Sequence, residues 1–229
     1  QTDHDGNGDG FMDMPKLRQY NLMHRWAYVA PDFISQLAIR LLKDERTGGM
    51  SSHHHLSSVP AYRFEMSTER FETQWKNALL FNDGHQSSLA LMLHGSWHES
   101  DHLFGKTIYD VRQRNGYAQL MFETDLSESH NLSVGASLNY DDYHEQLAGE
   151  ALIAAPDQSR ETTAGLYAQY TYKWGEKLTV MPGIRWDRSN RYGSFVTPRI
   201  HIKYTPIDAL TLRASAGKGY RSPHALAEN

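Results

Sequence analysis

The sequence predicts an all-β protein, an antiparallel up-and-down transmembrane β-barrel segment holding about ten strands of a larger barrel. Three observations point there. Long segments alternate apolar and polar residues, a period of two that a helix would scramble between its faces. Reversals of chain direction alternate between tight turns and wide polar excursions, as expected when the two ends of a barrel face different compartments. The apolar faces end in Trp or Tyr, rings with one polar edge that favour a membrane interface.

The tight turns are Asn82-Asp83-Gly84-His85, Ser127-Glu128-Ser129-His130, Gly175-Glu176 and Pro206-Ile207-Asp208. The wide excursions run from Asp44 to Pro60, Glu99 to Ile108, His144 to Arg160 and Arg188 to Ser194. Between them the strands fall at 17–30, 33–44, 60–82, 86–99, 108–126, 131–144, 160–174, 177–188, 195–205 and 209–221. The clearest places Leu178, Val180, Pro182, Ile184 and Trp186 on one face, with Thr179, Met181, Gly183, Arg185 and Asp187 on the other. Leu132 to Tyr140, Val196 to Tyr204 and Leu210 to Ala216 repeat this division. The polar set is rich in Gly and Ser beside Arg and Asp, which suits a lumen holding water or a plug. Trp174 sits beside a tight turn, and Trp97, Tyr140 and Trp186 lie towards the wide loops. The first four strands are less regular, with His24 and Arg40 blurring their faces. Pro182 and Pro198 sit within strands, where a ladder bond is lost. A large soluble sandwich with aromatic core residues is the competing architecture.

Composition narrows the classes. Among 229 residues, 39% are hydrophobic and 22% charged, and the mean hydropathy is −0.64. No stretch approaches the roughly eighteen consecutive apolar residues of a membrane helix, whereas strands that show lipid only alternate residues escape that test. The chain has no cysteine, which removes disulfide frameworks, thiolate metal sites and cysteine nucleophiles. A net charge of −4 offers no basic footprint for nucleic acid. No charged-then-apolar leader follows Gln1, and the chain reads as an internal piece of something larger.

Residues 1–16 form an expected extracellular loop ahead of barrel strands and loops at 17–229. Asp3-His4-Asp5-Gly6-Asn7-Gly8-Asp9 sets oxygen side chains at alternate positions, with glycine sixth, like the first half of an EF-hand loop. The expected ligands of a structural Ca²⁺ are Asp3, Asp5, Asn7 and Asp9. Position twelve is Met14, so Asp13 would stand in for the usual bidentate Glu. A flexible acidic turn that binds nothing fits the same residues. The short turn at Ala30-Pro31-Asp32 puts this loop at the wide-loop end, outside the cell.

Thr197-Pro198-Arg199 to Tyr204-Thr205-Pro206, followed by Leu210-Thr211-Leu212-Arg213-Ala214-Ser215-Ala216-Gly217-Lys218-Gly219-Tyr220-Arg221-Ser222-Pro223, closely resembles a strand pair of TonB-dependent outer-membrane receptors. The Asn7-to-Phe11 loop with Pro15, Tyr20-Asn21 to Trp26, and the Ala227-Glu228-Asn229 ending resemble the Bacteroidetes version. The resemblance implies a barrel of about twenty-two strands around an N-terminal plug. It also implies active uptake of a scarce nutrient (siderophore, cobalamin, haem or metal complex), with TonB acting through the plug. Outer-membrane lipid is a necessary partner, and a surface lipoprotein over the loops would be another. A passive porin or structural barrel is the alternative, distinguished by lacking a plug and a TonB-contacting segment.

Thirteen histidines invite a metal or haem reading, with His53-His54-His55 in a wide loop. In the strand at 86–99, Met92, His94 and His98 face the lumen towards the outer mouth and are the candidate ligand-contacting residues. Polar lumen side chains that only bond the plug or neighbouring strands, and a His-rich loop that is simply polar and mobile, account for them better. No enzyme is expected: Asp101-His102 is not tied by spacing to a nucleophile and oxyanion donors.

Overall fold

The structure is a computed structural model and describes residues 4–50, 62–149, 152–153 and 157–221. Ten long strands run antiparallel in chain order. They are β1 (Lys16–Val29), β2 (Phe33–Gly49), β3 (Arg63–Leu80), β4 (Ser88–Phe104), β5 (Thr107–Ser127), β6 (His130–Gly149), β8 (Asp157–Trp174), β9 (Leu178–Ser189), β10 (Gly193–Ile207) and β11 (Leu210–Gly217). The two-residue β7 (Leu152–Ile153) pairs with β6. The sheet is an open arc: among the described residues β1 and β11 are its edges and do not meet.

The sheet is inside out relative to a soluble protein. Val111 is the one buried hydrophobic residue among those described, whereas Ser133, Ser137, Glu145 and Asp187 are buried polar groups. Ile184 and Leu212 are 55% and 52% exposed, and Leu120 and Leu166 are exposed on the same face of other strands. Crowding on one face and splaying on the other is the mark of a curved sheet with a polar concave side. Each leucine left in water would forgo roughly 1.5–3 kcal/mol, so a continuous apolar outer face of this extent belongs against lipid. A dry core holding Leu178 and Val180, as a soluble sandwich requires, is absent among the described residues.

Register makes the outer face continuous. One cross-strand row runs Tyr28–Ser35–Asn77–Leu91–Leu120–Ala136–Leu166–Trp186–Val196. Tyr28 is beside the 30–32 turn, while Trp186 is near the opposite end of its strand. A single row therefore climbs from one end of the wall to the other, the stagger that tilted barrel strands require.

Turn parity follows the sequence, but the excursions do not. Glu99 to Ile108 is mostly strand, closed by a tight turn at Gly105-Lys106 with Gly105 at φ 65°. β6 continues to Gly149 and β8 begins at Asp157, and β9 reaches Ser189 before a turn ending at Gly193. β2 likewise runs through Asp44 to Gly49. These segments rise above the membrane, where water wets both faces and the apolar–polar contrast disappears. Residues 51–61, with His53 to His55, and 222–229 lie outside the described residues.

The mid-strand prolines are explained by their pairing. The β8–β9 ladder is interrupted between Gln169–Gly183 and Tyr172–Val180, which is where Pro182 lacks a donor. The Pro198 carbonyl accepts from Lys218 N at 3.0 Å, so its missing N–H faces the side where β11 has ended. Pro182 thus costs the β8–β9 ladder a bond, whereas Pro198 costs none because β11 has ended opposite it.

Candidate functional site

The inner wall is flattened by glycines. In a pleated strand alternate side chains project inward, yet here several long ones lie sideways across the neighbouring strand. The Tyr167 ring of β8 covers Gly135 of β6, where an added Cβ would sit 2.5 Å from the ring and 2.6 Å from the Leu120 carbonyl oxygen. Arg185 and Asp187 of β9 close over Gly165 of β8. Arg199 of β10 lies over Gly183 of β9, 3.1 Å from a Cβ placed there. The flattened groups bond to one another. Gln119 donates to Tyr167 Oη at 3.0 Å, Arg185 Nε donates to Asp187 Oδ2 at 2.7 Å, and Arg185 Nη2 donates to Ser137 Oγ at 2.8 Å.

Charge on this wall is matched locally. Arg70 Nε donates to Glu72 at 2.8 Å, and Arg40 lies 3.5 Å from the same carboxylate. Nearer the mouth, Asp44 accepts from Arg46 at 2.9 Å and from Gln19 at 3.0 Å. A concavity of about 910 Å³ lies along the lower wall, lined by Gln119, Tyr167, Lys173, Met181, Arg185 and Arg199 among others.

Above the membrane, β4, β5 and β6 carry a second group on the same face. Tyr109 donates to Glu145 Oε2 at 3.1 Å and shares a hydrogen bond with Tyr143, which also bonds to Glu145. Glu145 is only 4% exposed. Burial, then the bonds to Tyr143 and Glu145, hold the Tyr109 phenol protonated well above the ordinary tyrosine range. The His102 ring meets Tyr109 edge-on at 5.6 Å, and its Nε2 lies 2.7 Å from Ser100 Oγ, which in turn bonds Thr68 at 2.7 Å. Burial lowers the His102 pKa. On the opposite face Asp101 and Asp110 are direct cross-strand partners, and burial followed by the Asp101 charge raises the Asp110 pKa.

Met92, His94 and His98 occupy the inner face of β4 as expected, opposite Gln119, Tyr117 and Gln113 of β5. His94 and His98 are four residues apart along a strand, roughly 13 Å, too far to share one ion. His98 Nδ1 is buried without a hydrogen-bond partner. Asp3 lies outside the described residues. Asp5 accepts from Gly8 N at 2.7 Å and Gly10 N at 2.9 Å, Asp9 from Phe11 N at 2.8 Å, and Asp13 from Gly6 N at 2.7 Å. Asn7 Oδ1 accepts from Asp9 N at 3.1 Å. These bonds tie the loop oxygens to the loop's own backbone. Among the described residues no three His, Asp or Glu side chains converge as a metal site. Met12 N donates to the Gly49 carbonyl at 2.9 Å, which docks the loop on the upper end of β2.

Sequence reading missed the Tyr109–Tyr143–Glu145 group because Glu145, and His102 beside it, fell in segments assigned to wide excursions, although Tyr109 and Tyr143 were placed in strands. The available signal was the persisting alternation of Tyr109, Val111 and Gln113, which continues the inner face.

An open arc of tilted strands with apolar outer and polar inner faces defines a segment of outer-membrane receptor barrel. The sequence model described as TonB dependent receptor-like, beta-barrel matches residues 15–229, and the chain belongs to that family. Among solved structures it is similar to the alcaligin outer-membrane receptor FauA of Bordetella pertussis, at 15% identity and TM-score 0.67, over 87% of this chain and 35% of that one. It is also similar to the siderophore receptor PirA of Pseudomonas aeruginosa, at 10% identity and TM-score 0.46, over 93% of this chain and 41% of that one. The chain thus spans well under half the length of either. No curated protein matches it.

Proposed function

We propose that this chain forms wall and mouth of a receptor for TonB-dependent uptake of a scarce nutrient, in the range of siderophore, cobalamin, haem or metal complex. TonB would act through a plug enclosed by the barrel. Family membership supports this reading. The observation that carries it is the inner wall, with long polar side chains laid flat over glycines and charges matched in pairs. Such a surface suits a close-packed domain that must slide past it, whereas a passive pore gains nothing from it. No residue of the wall is assigned a catalytic role.

The test is uptake by cells carrying the intact receptor, supplied in turn with a radiolabelled ferric hydroxamate, a ferric catecholate, haem and cyanocobalamin. One probe is expected to accumulate only with the receptor present, and to stop when a protonophore collapses the inner-membrane gradient. Accumulation that survives the protonophore would identify a passive porin instead.

For the loop at residues 3–13 we further propose weak structural Ca²⁺ binding by Asp3, Asp5, Asn7, Asp9 and Asp13, in which backbone hydrogen bonds of the loop can exchange for metal contacts. Elemental analysis of the intact receptor is expected to find calcium that disappears in Asp5→Ala. Its absence from the unaltered receptor removes the proposal.

A further inference from the structure

We propose that Tyr109, Tyr143 and Glu145, with His102 beside them, form a site for direct coordination of a ferric ion at the outer mouth of the barrel. The proposal rests on the uptake reading only for the source of the ion. The site itself stands on donor chemistry and geometry.

Two phenols and a carboxylate are hard oxygen donors, and an imidazole is a common companion for iron. Three strands bring them together from separated positions. Tyr109 on β5 reaches Glu145 on β6 at 3.1 Å, Tyr143 is hydrogen-bonded to both, and the His102 ring on β4 is 5.6 Å from that of Tyr109. Glu145 is nine-tenths buried, and a carboxylate withdrawn from water calls for strong partners. Two neutral phenols supply part of that demand, and a trivalent cation would supply far more. Among the described residues no arginine is hydrogen-bonded to Glu145, in contrast to Asp44, Glu72 and Asp187, each of which is held by one.

Coordination balances simply. Each phenol entering the sphere gives up its proton to solvent and bonds as phenolate, so two protons leave for each ion bound and the iron stays ferric. Three protein donors, Tyr109, Tyr143 and Glu145, leave the remaining positions of an octahedral ion to its carrier, with His102 held to Ser100 beside them. The substrate class is accordingly a ferric complex whose chelator yields part of the coordination sphere, rather than a fully wrapped one.

Ferric nitrilotriacetate, a chelate with exchangeable positions, is the probe. Added to the purified intact receptor, it is expected to develop a visible phenolate-to-iron charge-transfer band that saturates at one ion per protein. Tyr109→Phe and Tyr143→Phe preserve ring packing, and each should weaken binding at least tenfold, with the double variant losing the band. Glu145→Gln keeps the size of the side chain and should also weaken binding. Heat-modifiable mobility on gels reports whether each variant is still folded. No band in the unaltered receptor, or a band surviving in a folded double variant, overturns the site. The uptake reading fails separately: a receptor with the band but with protonophore-insensitive transport keeps the site and loses TonB coupling. Energised uptake of a probe without any band does the reverse.

Discussion

Leu120→Arg in the intact receptor is expected to destabilise the folded barrel by about 2–4 kcal/mol, the cost of a cation near the bilayer midplane. Leu120 is the natural choice because it lies on the outer face, flanked by Leu91 on β4 and Ala136 on β6. It also sits well below Trp97, which is opposite Arg114 where β5 leaves the membrane. Urea titration of the receptor in lipid bilayers measures the loss. Gln119→Arg, one residue away, turns inward beside Tyr117 and Tyr167 and should cost much less. The opposite ranking would mean that the faces are reversed and that the sheet does not stand in lipid this way.

Gly135→Ala is the second large effect. A Cβ there would meet the Leu120 carbonyl oxygen at 2.6 Å and the Tyr167 ring at 2.5 Å. The ring can swing away, but the carbonyl belongs to the adjoining backbone, so β5 and β6 must part. Overpacking of this kind costs about 1–3 kcal/mol, and the upper part of that range is expected here. Gly116→Ala is the matched control, since nothing lies within 4 Å of a Cβ at that position. The same titration should find it neutral. Equal effects at the two glycines would show that strand flexibility, not close approach, explains Gly135.

The contrast between these glycines also shows what sequence could and could not reveal. From Leu178 to Trp186 the alternation is clear because lipid and lumen impose opposite demands on adjacent residues. At Glu99 to Asp101 and at His144 to Glu145 both faces are wet, so a regular strand resembles a polar loop. The inner-face placement of Met92, His94 and His98 followed from period alone. Their separation followed from strand rise, which excludes a shared ion between the two histidines. Flattening of Tyr167 over Gly135 depends on the β6–β8 register, and the Tyr109–Glu145 bond on the β5–β6 register. Each register depends on where its hairpin turn closes, and the irregularity between Asp125 and Ser127 beside the β5–β6 turn does not show in the alternation of residues. The calcium-type spacing at residues 3–9 was legible from oxygen positions, whereas the bonds of Asp5, Asn7 and Asp9 to loop N–H groups show only in the folded loop.

The climbing row from Tyr28 to Trp186 has a mechanical meaning. Force applied along the membrane normal is oblique to every strand, so it is distributed as shear over many ladders at once instead of unzipping one from its end. A wall built this way holds its shape under such a load.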